Sequence, residues 1–140
     1  MIRFLVRALI ASVPRFLIIM ALLNAVLYFE TSPLPEALTY LVLAYLIHFG
    51  ATYSAGAWIF AKHRPEWLEI GAITLFVLVF GTFLEIAAYV SIFKRSWSIA
   101  FSSYTWESLI VILVYAAAVV LAGWRARMKH PSIVPEGISL

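Results

Sequence analysis

The sequence predicts an all-α membrane protein, an antiparallel four-transmembrane-helix bundle with N- and C-termini cytoplasmic. Composition is the first reason: of 140 residues, 64% are hydrophobic and 12% charged, whereas soluble domains carry about 25% charged residues. Arrangement is the second. Mean hydropathy is +0.99, and the apolar residues gather into four runs divided by short segments rich in proline or charge. Each run, alone or with its flank, meets the roughly 20 helical residues that a hydrocarbon core requires. The third reason is the uneven distribution of Lys and Arg between the two sides that these runs define.

The first span is expected over residues 10–29. Pro14 and Arg15 fall in its opening turns, where proline is tolerated and an arginine can snorkel back to the headgroups. Arg3 and Arg7 ahead of an apolar stretch look like the start of a signal peptide. Arg15 interrupts that stretch, however, and no small-x-small cleavage site follows Phe29, so the segment reads as a retained signal anchor. The connection ETSPLPEA, with Pro33 and Pro35, ends one helix and begins the next. The second span, 38–61, runs into KHRPEW, where Pro65 suits a helix restart and Trp67 an interfacial depth.

The third span covers 68–93. Residues 94–104 then mix polar and aromatic side chains, as a segment lying in the interface would. The last strongly apolar stretch, 109–123, covers only about 22 Å at 1.5 Å per residue, which extends the fourth span to 105–124, with Trp106 and Trp124 marking its ends. Residues 1–130 are therefore expected to form a single membrane domain, and 131–140 a disordered tail.

Arg3, Arg7, Arg15, Lys62, Arg64, Arg125, Arg127 and Lys129 fall on one side of these spans, and only Lys94 and Arg95 on the other. The positive-inside rule then puts both termini in the cytoplasm. Arg15, Lys62, Arg64, Arg125, Arg127 and Lys129 are the expected contacts to anionic lipid headgroups. A small, cysteine-free, multi-pass chain of this kind fits a bacterial plasma membrane.

Polar residues inside the spans are the candidate site. His48 lies about 15 Å below the outer boundary on the second helix, and Glu85 about 12 Å below it on the third. Ala44, His48, Thr52 and Gly56 form one small and polar stripe, and Gly81, Glu85, Ala88 and Tyr89 another, as close packing in lipid prefers. The expectation is that the second and third helices face each other along these stripes, with His48 and Glu85 hydrogen bonded. Asn24, about 8 Å deep on the first helix, could join them. Glu107, in the first turn of the fourth helix, suits the helix dipole and could roof the cluster. Two readings stay open: a structural tie worth about 0.6 kcal/mol per hydrogen bond, or a ligand or proton site.

Several chemistries are not indicated. Cysteine is absent, all seven acidic residues are Glu, and no HExxH motif occurs, His63 and His130 standing apart. One His and one Glu are too few ligands for a metal. Ser54 lacks an evident activating base, and no glycine-rich phosphate loop is present. No catalytic residue, metal or cofactor is therefore assigned, and enzyme activity is not the favoured reading. The basic residues form no aromatic-interleaved face, which argues against nucleic acid.

LIHFGATYSAG with His48 and Phe49, GTFLEIAAY with Glu85 and Tyr89, and YTWESL with Glu107 together resemble the VanZ-like group of small four-helix membrane proteins. The likeness covers roughly residues 44–123. It implies an envelope-associated membrane protein, of a group linked in some members to glycopeptide resistance. RFLIIMALLNAVLYF, with Asn24, looks more distantly like the opening helix of the GtrA-like family, which implies handling of lipid-linked sugars. The function expected is non-catalytic binding or handling of an envelope lipid, a lipid-linked sugar or a membrane partner. The alternative is a small homo-oligomeric transporter or permeation subunit with Glu85 and His48 as a proton-titrating site.

Overall fold

The computed structural model describes residues 1–29, 36–93, 96 and 106–130, with side chains described at all of these except 23–29, 36–38, 40–41, 89, 92–93 and 106–108. The tail 131–140, and 94–104 apart from Ser96, lie outside the described residues. Four helices succeed one another in chain order: α1 Ile2–Phe29, α2 Glu36–Ile59, α3 Trp67–Phe93 and α4 Trp106–Lys129. All four are long and apolar enough to cross a membrane.

The burial pattern reflects that apolar character. Between 22% and 33% of each candidate span is buried within the protein, so large side chains such as Leu46, Leu75, Val79 and Leu113 point outward. In water such a surface would drive aggregation, whereas hydrocarbon solvates it.

α1 packs on α2 and α3, and α4 packs on α2 and α3. Among the described residues α2 and α3 do not pack on each other, so the expected pairing of the second and third helices is replaced by a diagonal. The residues that fill that diagonal come from α1 and α4. At one end of the molecule the start of α1 meets the start of α3: the Met1 amine donates to Glu69 Oε1 at 2.8 Å. Glu69 Oε2 also accepts the Glu66 backbone N–H at 3.0 Å, the reach-back half of a capping box that starts α3 after Pro65. The ends of α2 and α4 lie here too, with Arg7 Nη1 donating to the Ile59 carbonyl at 3.0 Å and Arg127 Nη1 to the Pro65 carbonyl at 2.7 Å.

This half of the molecule has an apolar core of Phe4, Ala8, Ile59, Phe60, Ile70, Ile73, Val77, Val119, Ala122 and Ala126. Phe4 and Phe60 meet edge to face, with centroids 5.4 Å apart and ring planes at 62°. Small residues set the helix spacing. A Cβ on Gly56 would stand 2.9 Å from the Ala122 Cβ, so the α2 stripe does face a helix, and that helix is α4.

α1 begins well ahead of residue 10, which changes the setting of Pro14 and Arg15. Pro14 is interior to the helix and withholds the N–H that would bond the Ile10 carbonyl. Arg15 lies roughly 20 Å along the helix from Ile2, beyond the reach of its side chain to that end.

Candidate functional site

The expectation that Arg15 reaches the headgroups gives way to a different arrangement. Its side chain is 3% exposed and turns into the space between α2 and α3. Nη1 donates to Thr52 Oγ1 at 2.9 Å, and the guanidinium carbon stands 4.5 Å from the centre of the Tyr115 ring. Nη2 lies against α3 at Gly81, where a Cβ would come within 2.5 Å of it. The absence of a side chain at Gly81 is what admits the guanidinium. Nε and Nη2 are buried without hydrogen-bond partners among the described residues.

Tyr115, contributed by α4, is fully buried and stands where the sequence suggests a direct His48–Glu85 contact. Its hydroxyl donates to Glu85 Oε1 and lies 2.7 Å from His48 Nδ1. A hydroxyl has a single proton. With that proton given to the carboxylate, Nδ1–H donates to the phenolic oxygen and Nε2 is left as the acceptor of the ring. Imidazole, phenol and carboxylate thus form one continuous chain, with the Arg15 cation stacked over its middle member. Among the described residues no carboxylate oxygen hydrogen bonds to Arg15.

Of the residues expected at this site, His48, Thr52 and Glu85 come together. The side chains of Asn24, Tyr89 and Glu107 lie outside the described residues. Arg15 and Tyr115 are the additions, so that each of the four helices supplies at least one member. Among the described residues no three His, Cys, Asp or Glu side chains converge as a metal site would require. Arg15 also lines a largely apolar cleft of about 380 Å³ between α1 and α2, together with Pro14, Ser54 and Trp58.

A second polar region occupies the end where α1 and α3 start. Arg3, Arg7, Lys62, Arg64, Arg125, Arg127 and Lys129 belong to this end, together with Glu66 and Glu69. Arg7 and Arg127 lie over the rings of Trp58 and Trp67, at 5.7 and 4.9 Å from their centres. Arg125 Nη1 donates to the Tyr53 hydroxyl at 2.8 Å. The Met1–Glu69 contact is the one ion pair among the described residues, so most of these cations have no counter-charge among them. Exposed His63 titrates below the ordinary histidine range, first through desolvation and then through Arg3, Arg7, His130 and Lys62. Compared with protein-family models, curated proteins and solved structures, the chain matches none.

Proposed function

We propose that this chain is a non-catalytic, multi-pass integral membrane protein, an antiparallel bundle with cytoplasmic termini, that binds an anionic envelope lipid at its basic end. One observation carries the reading: seven Lys and Arg residues, Arg3, Arg7, Lys62, Arg64, Arg125, Arg127 and Lys129, share one end with two described carboxylates, one of which is held by the Met1 amine. Basic residues beside a membrane each contribute about 1 kcal/mol of attraction to anionic lipid. Trp58, Trp67 and Trp124 are exposed at the same end, as anchors at the hydrocarbon boundary are. An envelope lipid is also the direction in which the VanZ-like resemblance points.

The test is lipid retention. Protein purified from bilayers of phosphatidylcholine mixed with phosphatidylglycerol is expected to carry phosphatidylglycerol out of proportion to the mixture, and to lose that enrichment when Lys62, Arg64, Arg125, Arg127 and Lys129 are all changed to Gln. Equal carriage of both lipids by the native chain removes the proposal. A permeation role is the second reading, supported by the chain of His48, Tyr115 and Glu85 deep in the spans. It requires an oligomer and pH-dependent flux into vesicles that Glu85→Gln abolishes. Flux insensitive to pH, or a strictly monomeric protein, rules it out.

A further inference from the structure

Between α2 and α4 at the basic end lies a cleft of about 300 Å³, lined by Tyr53, Phe60, Ala61, Arg125, Lys129 and His130 among others. We propose that this cleft is the seat of a single lipid phosphate group. The inference rests on the anionic-lipid reading above and narrows it from a charged end to one site on that end.

Four features of the cleft fit a phosphate. Its volume is at the lower limit of small-ligand sites, roughly 300 to 1,000 Å³, which suits a headgroup better than a whole lipid. Its cationic donors differ in kind, the planar fork of Arg125 and the ammonium of Lys129, both from the last turns of α4. A planar fork and a compact point charge together suit an anion with several oxygens around one centre.

The donors are also placed. The Tyr53 hydroxyl accepts from Arg125 Nη1 at 2.8 Å, which ties the guanidinium to α2 across the cleft. His130 Nε2 stands 3.3 Å from the Ala61 carbonyl. A carbonyl only accepts, so Nε2 carries the proton, which fixes the ring over the end of α2. Among the described residues no carboxylate pairs with Arg125 or Lys129, and the walls between them are short side chains, Ala57, Ala61, Ala122 and Ala126. The result is a recess with cations at its rim and, among the described residues, no paired carboxylate.

Depth selects a lipid as the source of the phosphate. Lys129 closes α4, and Ala61 stands just past the last residue of α2, so the recess lies at the ends of two candidate spans. Headgroup phosphates sit at that level, and the apolar outer faces of α2 and α4 continue from it as a surface for acyl chains.

The experiment compares variants of the full chain, purified from mixed phosphatidylcholine and phosphatidylglycerol bilayers, by native mass spectrometry of retained lipid. Lys129→Gln and Arg125→Gln remove cations from the cleft, and Ala61→Trp fills it without changing charge. Arg3→Gln removes an exposed cation outside it. Circular dichroism and thermal melting establish that each variant is folded. The proposal expects Lys129→Gln to lower phosphatidylglycerol retention by more than the roughly fivefold that about 1 kcal/mol per basic residue beside a membrane implies, Ala61→Trp to lower it as well although no charge changes, and Arg3→Gln to lower it by no more than that general factor. Equal losses in Arg3→Gln and Lys129→Gln, with no effect of Ala61→Trp, overturn the cleft while the general anionic-lipid reading stands. No phosphatidylglycerol preference in the native chain overturns both. Binding of inorganic phosphate in a lipid-free micelle that added phosphatidylglycerol does not displace overturns the assignment to lipid and leaves a site for free phosphate.

Discussion

The two halves of the helix interior are built on opposite principles. Near the basic end the core is Phe4, Ala8, Phe60, Ile70, Ile73 and their neighbours, side chains with no polar atoms. Further along the same helices the interior is Arg15, His48, Thr52, Glu85 and Tyr115. Surrounded by lipid, the apolar half gains little from exclusion of water, since lipid tails are as apolar as its own side chains, and it holds through close packing. The polar half has directional bonds, yet it keeps a cation with two guanidinium nitrogens unpartnered among the described residues in a low-dielectric interior. The contrast teaches that hydrophobicity alone does not choose helix neighbours here. Shape chooses them in one half and hydrogen-bond geometry in the other.

Substitutions can break or sharpen that contrast. The largest loss is expected for Phe60→Ala, which removes a fully buried ring in edge contact with Phe4 and should cost about 3 kcal/mol, read by reversible unfolding in mixed micelles. Tyr115→Phe keeps the ring beneath Arg15 but removes the hydroxyl shared by His48 and Glu85. At the modest strength of hydrogen bonds measured in membranes it should cost about 1 to 2 kcal/mol, and a loss as large as that of Phe60→Ala would mean the polar half dominates the fold.

Double-mutant cycles refine the point. His48→Ala and Glu85→Gln should each couple to Tyr115→Phe by about 0.5 kcal/mol or more, while His48→Ala and Glu85→Gln made in the Tyr115→Phe background should add independently. Residual coupling in that background would indicate direct contact between the two. The smallest effect, with reversed sign, is expected for Arg15→Met. A flexible thioether can occupy the place over Tyr115 without unpartnered N–H groups, so the melting temperature should stay level or rise. A clear fall would show that the bond to Thr52 and the stack on Tyr115 outweigh the desolvation of the guanidinium.

Much of the architecture is legible in the amino-acid order. Four apolar runs between proline-bearing connections yield four helices of the right length, and the small-residue stripe of α2 does face inward at Thr52 and Gly56. Two features escape. With the first span begun at residue 10, Arg15 falls near a boundary and looks free to reach it. The helix in fact starts at Ile2, because Ile2, Phe4, Leu5 and Val6 are as helix-compatible as the residues after Ile10, and Arg3 and Arg7 do not break it. The same shift puts Pro14 inside the helix. The second feature is neighbour order. Periodicity identifies the face that a helix turns inward but carries no record of which helix meets it, so His48 and Glu85 can be matched in depth without the intervening Tyr115. Measured from the basic ends of their helices, Arg15 and Tyr115 both lie roughly 20 Å along, and that shared depth is the signal that could have joined them.

The diagonal arrangement also bears on how the protein is made. Helices leave the ribosome in chain order, and α2 and α3, consecutive in that order, do not pack on each other among the described residues. Until α4 is synthesised, both are held through α1 alone, and His48 and Glu85 lack the hydroxyl that satisfies them. The last helix to emerge is therefore the one that closes the assembly. A nascent chain stalled before Tyr115 presents unsatisfied polar groups to the membrane, which is the form that quality-control proteases would meet. A fragment ending before α4 should be short-lived in cells, and co-expression of α4 as a separate segment should prolong its lifetime.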